Sequence, residues 1–470
     1  MNNKDFRKYA HEFVDWIADY FEQIEQYPVK SKANPGDIKN NLPADAPQKG
    51  EAMDRIFEDF QKIILPGISH WQHPGWFAYF PANNSPASVL GEILTAGLGV
   101  QGMIWDTSPA ATELEEVVMN WLRDITGLPP HFTGVIQDTA STATLCALLS
   151  ARETNTDFQV NQKGFQKTLR VYTSEHTHSS IEKGVKIAGF GRENLVYIAT
   201  DANFAMRPDA LREAIEKDIK AGFTPCCVAA TLGTTSSMAM DPIETIGKIC
   251  RQYNMWLHVD AAFAGTAAIV PEYRDFLKGI DKADSYVFNP HKWMLTNFDC
   301  SAYFVKDAEI LKRTFSILPE YLKTVSGESV NNYRDWGIQL GRRFRALKLW
   351  FVIRSYGVEG LQQMVRKHIQ LANTFAGWIE AHPDFELLAP VNLSLVCFRY
   401  KNQKFSQEEL NTFNPSLLEK INASGEVYLT HTVLNGNYCL RLSVGQRNTE
   451  LQHVEKVWQI IQKAIPSLNT

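Results

Sequence analysis

Five short apolar runs, at residues 169–173, 195–199, 226–232, 256–259 and 286–288, are separated by stretches whose apolar residues recur at helical spacing. Strands that alternate with helices pair in parallel, because each crossover helix returns the chain to the same edge of the sheet. This order therefore predicts an α/β fold with a mostly parallel sheet over about residues 86–360. The helical stretches carry start and stop signals. Residues 208–221 open on Pro208, and Asp241-Pro242 reads as a cap followed by a proline. Ser108-Pro109 starts a stretch in which Leu114, Val117, Val118, Trp121, Leu122 and Ile125 share one face, and Gly127 is placed to end it.

The flanks read differently. Residues 1–85 begin with a helix-like stretch whose Phe13, Ile17, Phe21 and Ile24 fall on one face, followed by a Pro/Gly/Asn-rich connector from 28 to 47. Nothing nearby in sequence covers that stripe, so the arm is expected to wrap a partner subunit in a homodimer. Residues 361–470 mix long helical stretches with short strands at 394–399 and 438–442, which suggests a smaller C-terminal α+β domain.

Composition narrows the function classes. A chain of 470 residues, 44% of them hydrophobic, is ample for a large core. With 52 acidic against 47 basic residues the net charge is −5, so there is no basic footprint for nucleic acid. No stretch approaches the roughly 20 apolar residues of a membrane helix. The first residues lack a basic segment leading into an apolar one, and the seven cysteines show no metal-like spacing. Reduced thiols in a cytoplasmic protein are the simplest expectation.

Two motifs are decoys. Gly97-Leu98-Gly99-Val100-Gln101-Gly102 matches the dinucleotide-binding glycine pattern, but it follows a helical stretch rather than a strand. His70 with His73, and His176 with His178, have the look of metal pairs, yet no acidic or cysteine ligand clusters with them in sequence. No metal is expected.

The segment that carries chemistry is Asn289-Pro290-His291-Lys292-Trp293, directly after an apolar strand. Lysine is rarely placed in such a setting without a use for its amine. The preceding strand, residues 256–259, runs into Asp260 and then into the small residues Ala261, Ala262, Ala264 and Gly265. Asp260 and Lys292 are 32 residues apart, at the ends of two successive strands. In a parallel sheet both emerge at the carboxyl edge, where ligands bind. A lysine and a carboxylate at that edge suit pyridoxal phosphate: the amine forms the Schiff base and the carboxylate keeps the ring nitrogen protonated. Thr139-Ala140-Ser141-Thr142, between an apolar pair and a helical run, suits a phosphate at a helix start; a plain polar helix cap explains it equally well.

The chain resembles the group II pyridoxal-phosphate decarboxylases, in their aromatic-L-amino-acid decarboxylase branch, from about residue 5 to the C-terminus. The resemblance is carried by His73-Pro74, Phe77-Ala78-Tyr79-Phe80-Pro81, Ser108-Pro109-Ala110, Thr112-Glu113-Leu114-Glu115, Ala230-Thr231-Leu232-Gly233-Thr234-Thr235, His258-Val259-Asp260-Ala261-Ala262, Asn289-Pro290-His291-Lys292-Trp293 and Leu340-Gly341-Arg342-Arg343-Phe344. It implies a type I aminotransferase-like fold with a seven-stranded, mostly parallel sheet, and a homodimer with sites at the interface. It further implies that Lys292 binds the cofactor, Asp260 partners its ring nitrogen and His178 stacks on its ring. Ala140, Ser141, Asn289 and His291 would hold the phosphate, and Thr235 would lie under the ring. The family usually has Gly and Ser where this chain has Asp138 and Thr139.

The resemblance also places Tyr321 on a loop that covers the partner subunit's site, where it protonates the carbon left by CO2. Relatives with phenylalanine there make aldehydes by oxidative deamination, so Tyr321 favours the plain decarboxylase over an aldehyde synthase. Intact Lys292, Asp260 and His178 argue against a catalytically silent binding dimer. Trp71, Tyr79, Phe80 and Pro81 match the family's side-chain pocket, with Gln101 and Met103 at positions supplied by the partner subunit. None of the six is cationic, as an acidic substrate side chain would require. The choice among tryptophan, tyrosine, phenylalanine and dihydroxyphenylalanine stays open.

Overall fold

A computed structural model describes residues 1–317 and 330–466. Its larger sheet has seven strands: β1 (Thr133–Gln137), β2 (Leu169–Ser174), β3 (Leu195–Ile198), β4 (Thr224–Thr231), β5 (Trp256–Asp260), β6 (Ser285–Phe288) and β7 (Ser301–Val305). They lie in the order β1-β7-β6-β5-β4-β2-β3. β6, β5, β4, β2 and β3 pair in parallel, whereas β7 runs antiparallel to both β6 and β1. Only β7 is reversed, so the other six strands present their carboxyl ends at one edge. All five predicted strands form. β7 was not foreseen, because no helical stretch separates it from β6 and the alternation that reveals the others is missing there.

The local signals act as the sequence implies in most places. Ser108 caps the helix Pro109–Thr126, and Gly127 ends it at φ +72°. Thr139 caps the helix Ala140–Asn155, accepting the Thr142 N–H. The glycine-rich decoy begins inside the helix Pro86–Leu98 and runs past its end, where Gly99 takes φ +61°. Asp241, however, does not cap the helix Ile243–Gln252. Its carboxylate accepts the backbone N–H groups of Met206 at 2.7 Å and Thr231 at 2.8 Å. Those buried donors lie at the exit of β4 and need an acceptor more than the helix start does.

A second, antiparallel sheet follows: β8 (Phe385–Leu387), β9 (Leu395–Tyr400), β10 (Thr430–Leu434) and β11 (Asn437–Ser443), in the order β10-β11-β9-β8. One face carries Val396, Phe398, Leu440 and Leu442 and packs on Phe375, Leu417 and Val457. The other carries Leu395, Cys397 and Cys439 and joins the core of the larger sheet. The helix Arg345–Ala381 links the two sheets and is broken at Gly357 (φ +65°).

The N-terminal helix Asn3–Glu22 is capped by Asn2. Its apolar stripe is partly covered from within the chain, contrary to the reading that nothing local can do so. Phe13 lies 4.6 Å from Phe57, Trp16 packs on Phe57 and Phe60, and Ile24 is buried. The chain after the connector, from Met53 on, folds back and supplies these rings. Ile17 and Phe21 instead line an apolar groove shared with Val89, Leu90 and Ile93. Among the described residues no helix is long and apolar enough to cross a membrane.

Candidate active site

The carboxyl edge of the larger sheet opens into a cavity of about 230 Å³. Four strand exits and one helix start converge on it. β2 leads to His178 and Ser180, β4 to Thr231, Gly233 and Thr235, β5 to Asp260, Ala262 and Phe263, and β6 to Asn289, His291 and Lys292. The helix after β1 contributes Thr139, Ala140 and Ser141. The parallel register causes this convergence: Thr231 pairs with Asp260, and Asp260 with Val287, so neighbouring strands end level.

Lys292 is partly buried beside Asp260, with Nζ 5.5 Å from the ring centre of Phe80. Burial lowers its pKa, and the Asp260 carboxylate opposes that shift. Asp260 Oδ1 accepts the Ala262 N–H at 2.9 Å, which leaves Oδ2 to the cavity. The Phe80 ring is backed by a column of parallel rings: Phe263 at 4.1 Å, then Trp293 4.5 Å from Phe263. This column fixes the wall on which the Lys292 amine rests.

His178 accepts the Ser180 N–H on Nδ1 at 3.2 Å, so in the neutral ring the hydrogen sits on Nε2. Burial lowers its pKa, Asp260 works against that, and Lys292 adds to it. His291 likewise accepts the Cys300 N–H on Nδ1 at 2.9 Å. Burial, reinforced by Lys292, pushes its pKa down to about 3. Its hydrogen therefore also sits on Nε2. Asn289 accepts the Ser301 hydroxyl on Oδ1, which leaves its amide N–H groups free.

These groups fit a pyridoxal phosphate. The Ala140 and Ser141 N–H groups head a 16-residue helix and have no intrahelical acceptor. Asn289 Nδ2 and His291 Nε2 add donors suited to an anion, and Asp260 and Lys292 line the same cavity. Asp138 is not free to join them. Burial works against its charge, but hydrogen bonds from Thr142, Thr139 and Gln339 outweigh this and hold its pKa below the ordinary value. The Thr139 hydroxyl is engaged as the helix cap.

Every proposed cofactor residue thus lines one cavity. Of the substrate-pocket candidates, Phe80 lines it, and Pro81 is buried against Gly445. Trp71 and Tyr79 stack on each other at 5.9 Å, in a cluster with Trp76 and Tyr428. Gln101 and Met103 lie elsewhere: Gln101 Oε1 accepts the Arg342 N–H at 2.7 Å, and the Met103 carbonyl accepts that of Arg334 at 2.9 Å. Tyr321 falls outside the described residues. His70 bonds Tyr20 at 2.8 Å, and the His73 ring accepts the Gly75 N–H at 2.8 Å.

Sequence reading missed Arg441 on β11. It is 3% exposed, its Cζ lies 5.7 Å from the ring centre of Phe80, and its Nε and Nη2 have no hydrogen-bond partner. The available signal was a lone arginine among Cys439, Leu440, Leu442 and Val444.

Residues 35–401 match the family model of the pyridoxal-dependent decarboxylase conserved domain. The chain is 45% identical over 473 residues to a phenylacetaldehyde synthase of Arabidopsis thaliana, covering 98% of this chain and 96% of that one. It is similar to the crystal structure of Catharanthus roseus tryptophan decarboxylase in complex with L-tryptophan, with a TM-score of 0.94 and 41% identity over 100% of this chain and 99% of that one. For the crystal structure of Oryza sativa TDC with PLP and tryptamine the TM-score is 0.97, with 36% identity over 100% and 99%. With the Lys292–Asp260 cavity at the sheet edge, these matches show that the chain belongs to the pyridoxal-dependent decarboxylase family and takes pyridoxal phosphate as its cofactor.

Proposed function

We propose that this chain removes CO2 from an aromatic L-amino acid and releases the amine. The observation that carries the reading is the cavity wall. Lys292 is the sole lysine or arginine among the lining residues, and it rests on Phe80 beside Phe263 and Phe298. An aromatic side chain is at home there, whereas an acidic one finds no cation beside it among the described residues other than Lys292 and Arg441, which this reading assigns to the cofactor and to the substrate's own carboxylate.

When bound, pyridoxal phosphate supplies the conjugated ring that takes up the electron pair left as CO2 departs. Lys292, its amine pushed toward the neutral form by burial, is the nucleophile that anchors the cofactor. Asp260 would hold the proton of the ring nitrogen. Ala140, Ser141, Asn289 and His291 would hold the phosphate, Thr235 would lie under the ring, and His178 would stack on it. Arg441 receives the substrate carboxylate: its Nε and Nη2 nitrogens are buried and unpaired, and such donors call for an acceptor. Arg441 is not itself among the cavity-lining residues, but its Cζ lies 5.7 Å from the centre of the Phe80 ring, the same ring that the Lys292 amine approaches at 5.5 Å. Tyr321 returns a proton to the substrate carbon.

The 45% identity to a phenylacetaldehyde synthase favours a second reading, in which the same site releases an aldehyde. One assay separates them. Purified protein with pyridoxal phosphate is given L-tryptophan, L-tyrosine, L-phenylalanine, L-dihydroxyphenylalanine and L-glutamate, and CO2, amine, aldehyde and peroxide are measured. Amine from an aromatic substrate is expected. Aldehyde with peroxide as the main product selects the second reading, and preferred turnover of glutamate sinks both.

The active unit in this reading is a homodimer. Leu90 and Ile93 on the helix Pro86–Leu98 and Phe6 on the N-terminal helix are exposed along adjoining apolar grooves, with Leu94 and Leu98 exposed on the same helix, and a second copy would cover them. Trp71, Tyr79, Phe80, Pro81 and the partner's Gln101 and Met103 would then surround the substrate side chain. All seven cysteines are buried free thiols, in keeping with a cytoplasmic protein.

A further inference from the structure

Thr430 stands at the rim of the smaller sheet, opposite Arg441 in the register of β10 and β11. It is buried, and its single hydroxyl oxygen accepts two hydrogen bonds. One comes from Arg441 Nη1 at 2.9 Å. The other comes from the backbone N–H of Tyr79 at 3.3 Å, 351 residues away. Both lone pairs of the oxygen are thereby used.

The two donors matter for different reasons. Arg441 is otherwise loosely held by hydrogen bonds, because its Nε and Nη2 have no partner. A long side chain with one tether keeps its geometry only as well as that tether does. Tyr79 adopts φ +55°, a strained conformation for an L residue that persists only where its surroundings enforce it. It directly precedes Phe80, whose ring both Lys292 and Arg441 approach. The neighbouring backbone is pinned as well: Phe77 donates to the Tyr428 carbonyl at 2.9 Å and Ser443 donates to that of Phe77 at 3.0 Å. Thr430 is the point where this pinned segment and the guanidinium meet.

We infer that Thr430 is a positioning residue for substrate recognition: through one hydroxyl it ties the guanidinium of Arg441 to the backbone that presents Phe80, and so sets where the substrate carboxylate docks relative to Lys292. The inference rests on the reading that Arg441 receives that carboxylate. A hydrogen bond to a charged group is among the stronger ones a side chain makes. Losing it frees the guanidinium without touching the cofactor groups, which come from other elements.

The test uses the holoenzyme with Thr430→Val, which keeps the shape and removes the hydroxyl, and Thr430→Ser, which keeps the hydroxyl. Two ligands are compared: the aromatic amino acid that wild type turns over fastest, and the corresponding amine, which lacks the carboxylate, as an inhibitor. Thr430→Val is expected to raise KM for the amino acid about tenfold, to leave amine inhibition within about twofold and to keep the cofactor absorbance. Thr430→Ser restores KM. An equal loss for both ligands, or no loss for either, overturns the inference. Arg441→Met in the same assay separates the two layers. If it spares the preference for the carboxylated ligand, the carboxylate reading of Arg441 fails and Thr430 falls with it. If Arg441→Met abolishes that preference while Thr430→Val does not, only the Thr430 inference fails.

Discussion

The indole N–H of Trp293 donates to Nδ1 of His368 at 2.9 Å, tying the residue next to Lys292 to the middle of the helix Arg345–Ala381. Both side chains are fully buried and their rings are nearly parallel. Trp293→Phe keeps a ring in the column and strands a buried acceptor. The expected cost is about 1–3 kcal/mol of stability, read from urea unfolding. Turnover per folded site should stay within about tenfold of wild type, because Lys292 itself is untouched. A stability change near zero would show that water or another donor satisfies His368.

Lys292→Ala is expected to abolish CO2 release while leaving the oligomer intact. The residue lies at the cavity wall rather than in the packed core, so folding does not depend on it. Borohydride treatment of wild type should leave a pyridoxyl group on the peptide that contains Lys292, detectable by mass spectrometry. Near-wild-type CO2 release from the variant would end the assignment.

Tyr321→Phe removes one hydroxyl and keeps the ring. If Tyr321 is the proton donor, amine formation drops by roughly 10²- to 10⁴-fold. The share of aldehyde, ammonia and peroxide rises in air-saturated buffer, and the cofactor spectrum stays close to wild type. Unchanged amine output with an unchanged product ratio would move the search for the donor to His178.

Acid should unfold this protein cooperatively. Burial pushes His73 and His258 down to about 4, and His291 and His368 down to about 3. Each is neutral in the folded state, while in the unfolded chain a histidine titrates near its ordinary value of about 6.5. Below that pH the unfolded state binds protons that the folded state refuses, so stability is lost as pH falls from about 6.5 toward 4. Asp241 acts in the opposite sense. Burial raises its pKa to about 6, so its contribution is fully present below the ordinary carboxylate value and is lost as pH rises through 6. Each of the four histidines contributes about 1.4 kcal/mol per pH unit near pH 5, and Asp241 offsets about one of them. Calorimetric unfolding between pH 7 and 4.5 checks this; a flat melting temperature would contradict it.

Much of this molecule was legible in local pattern. Alternating strands and helices announced the parallel sheet, Ser108 and Gly127 bounded a helix, and the runs into Asp260 and Lys292 placed both at the carboxyl edge. These features depend on residues within a turn or two of one another, where hydrogen-bond geometry and side-chain periodicity act directly. Other features were decided only when distant segments met. Asp241 looked like a helix cap and instead holds the exit of β4. β7 has no crossover to announce it. Arg441 reaches Phe80 across 361 residues of chain, and Thr430 joins Tyr79 across 351. Such contacts follow from how the C-terminal sheet meets the segment 77–81 and the loop after β4, and no local spacing encodes that packing. The proposed cofactor residues were therefore written in strand ends, while Arg441 and Thr430, which we propose orient the substrate, reached Phe80 and Tyr79 only through the packing of the C-terminal sheet.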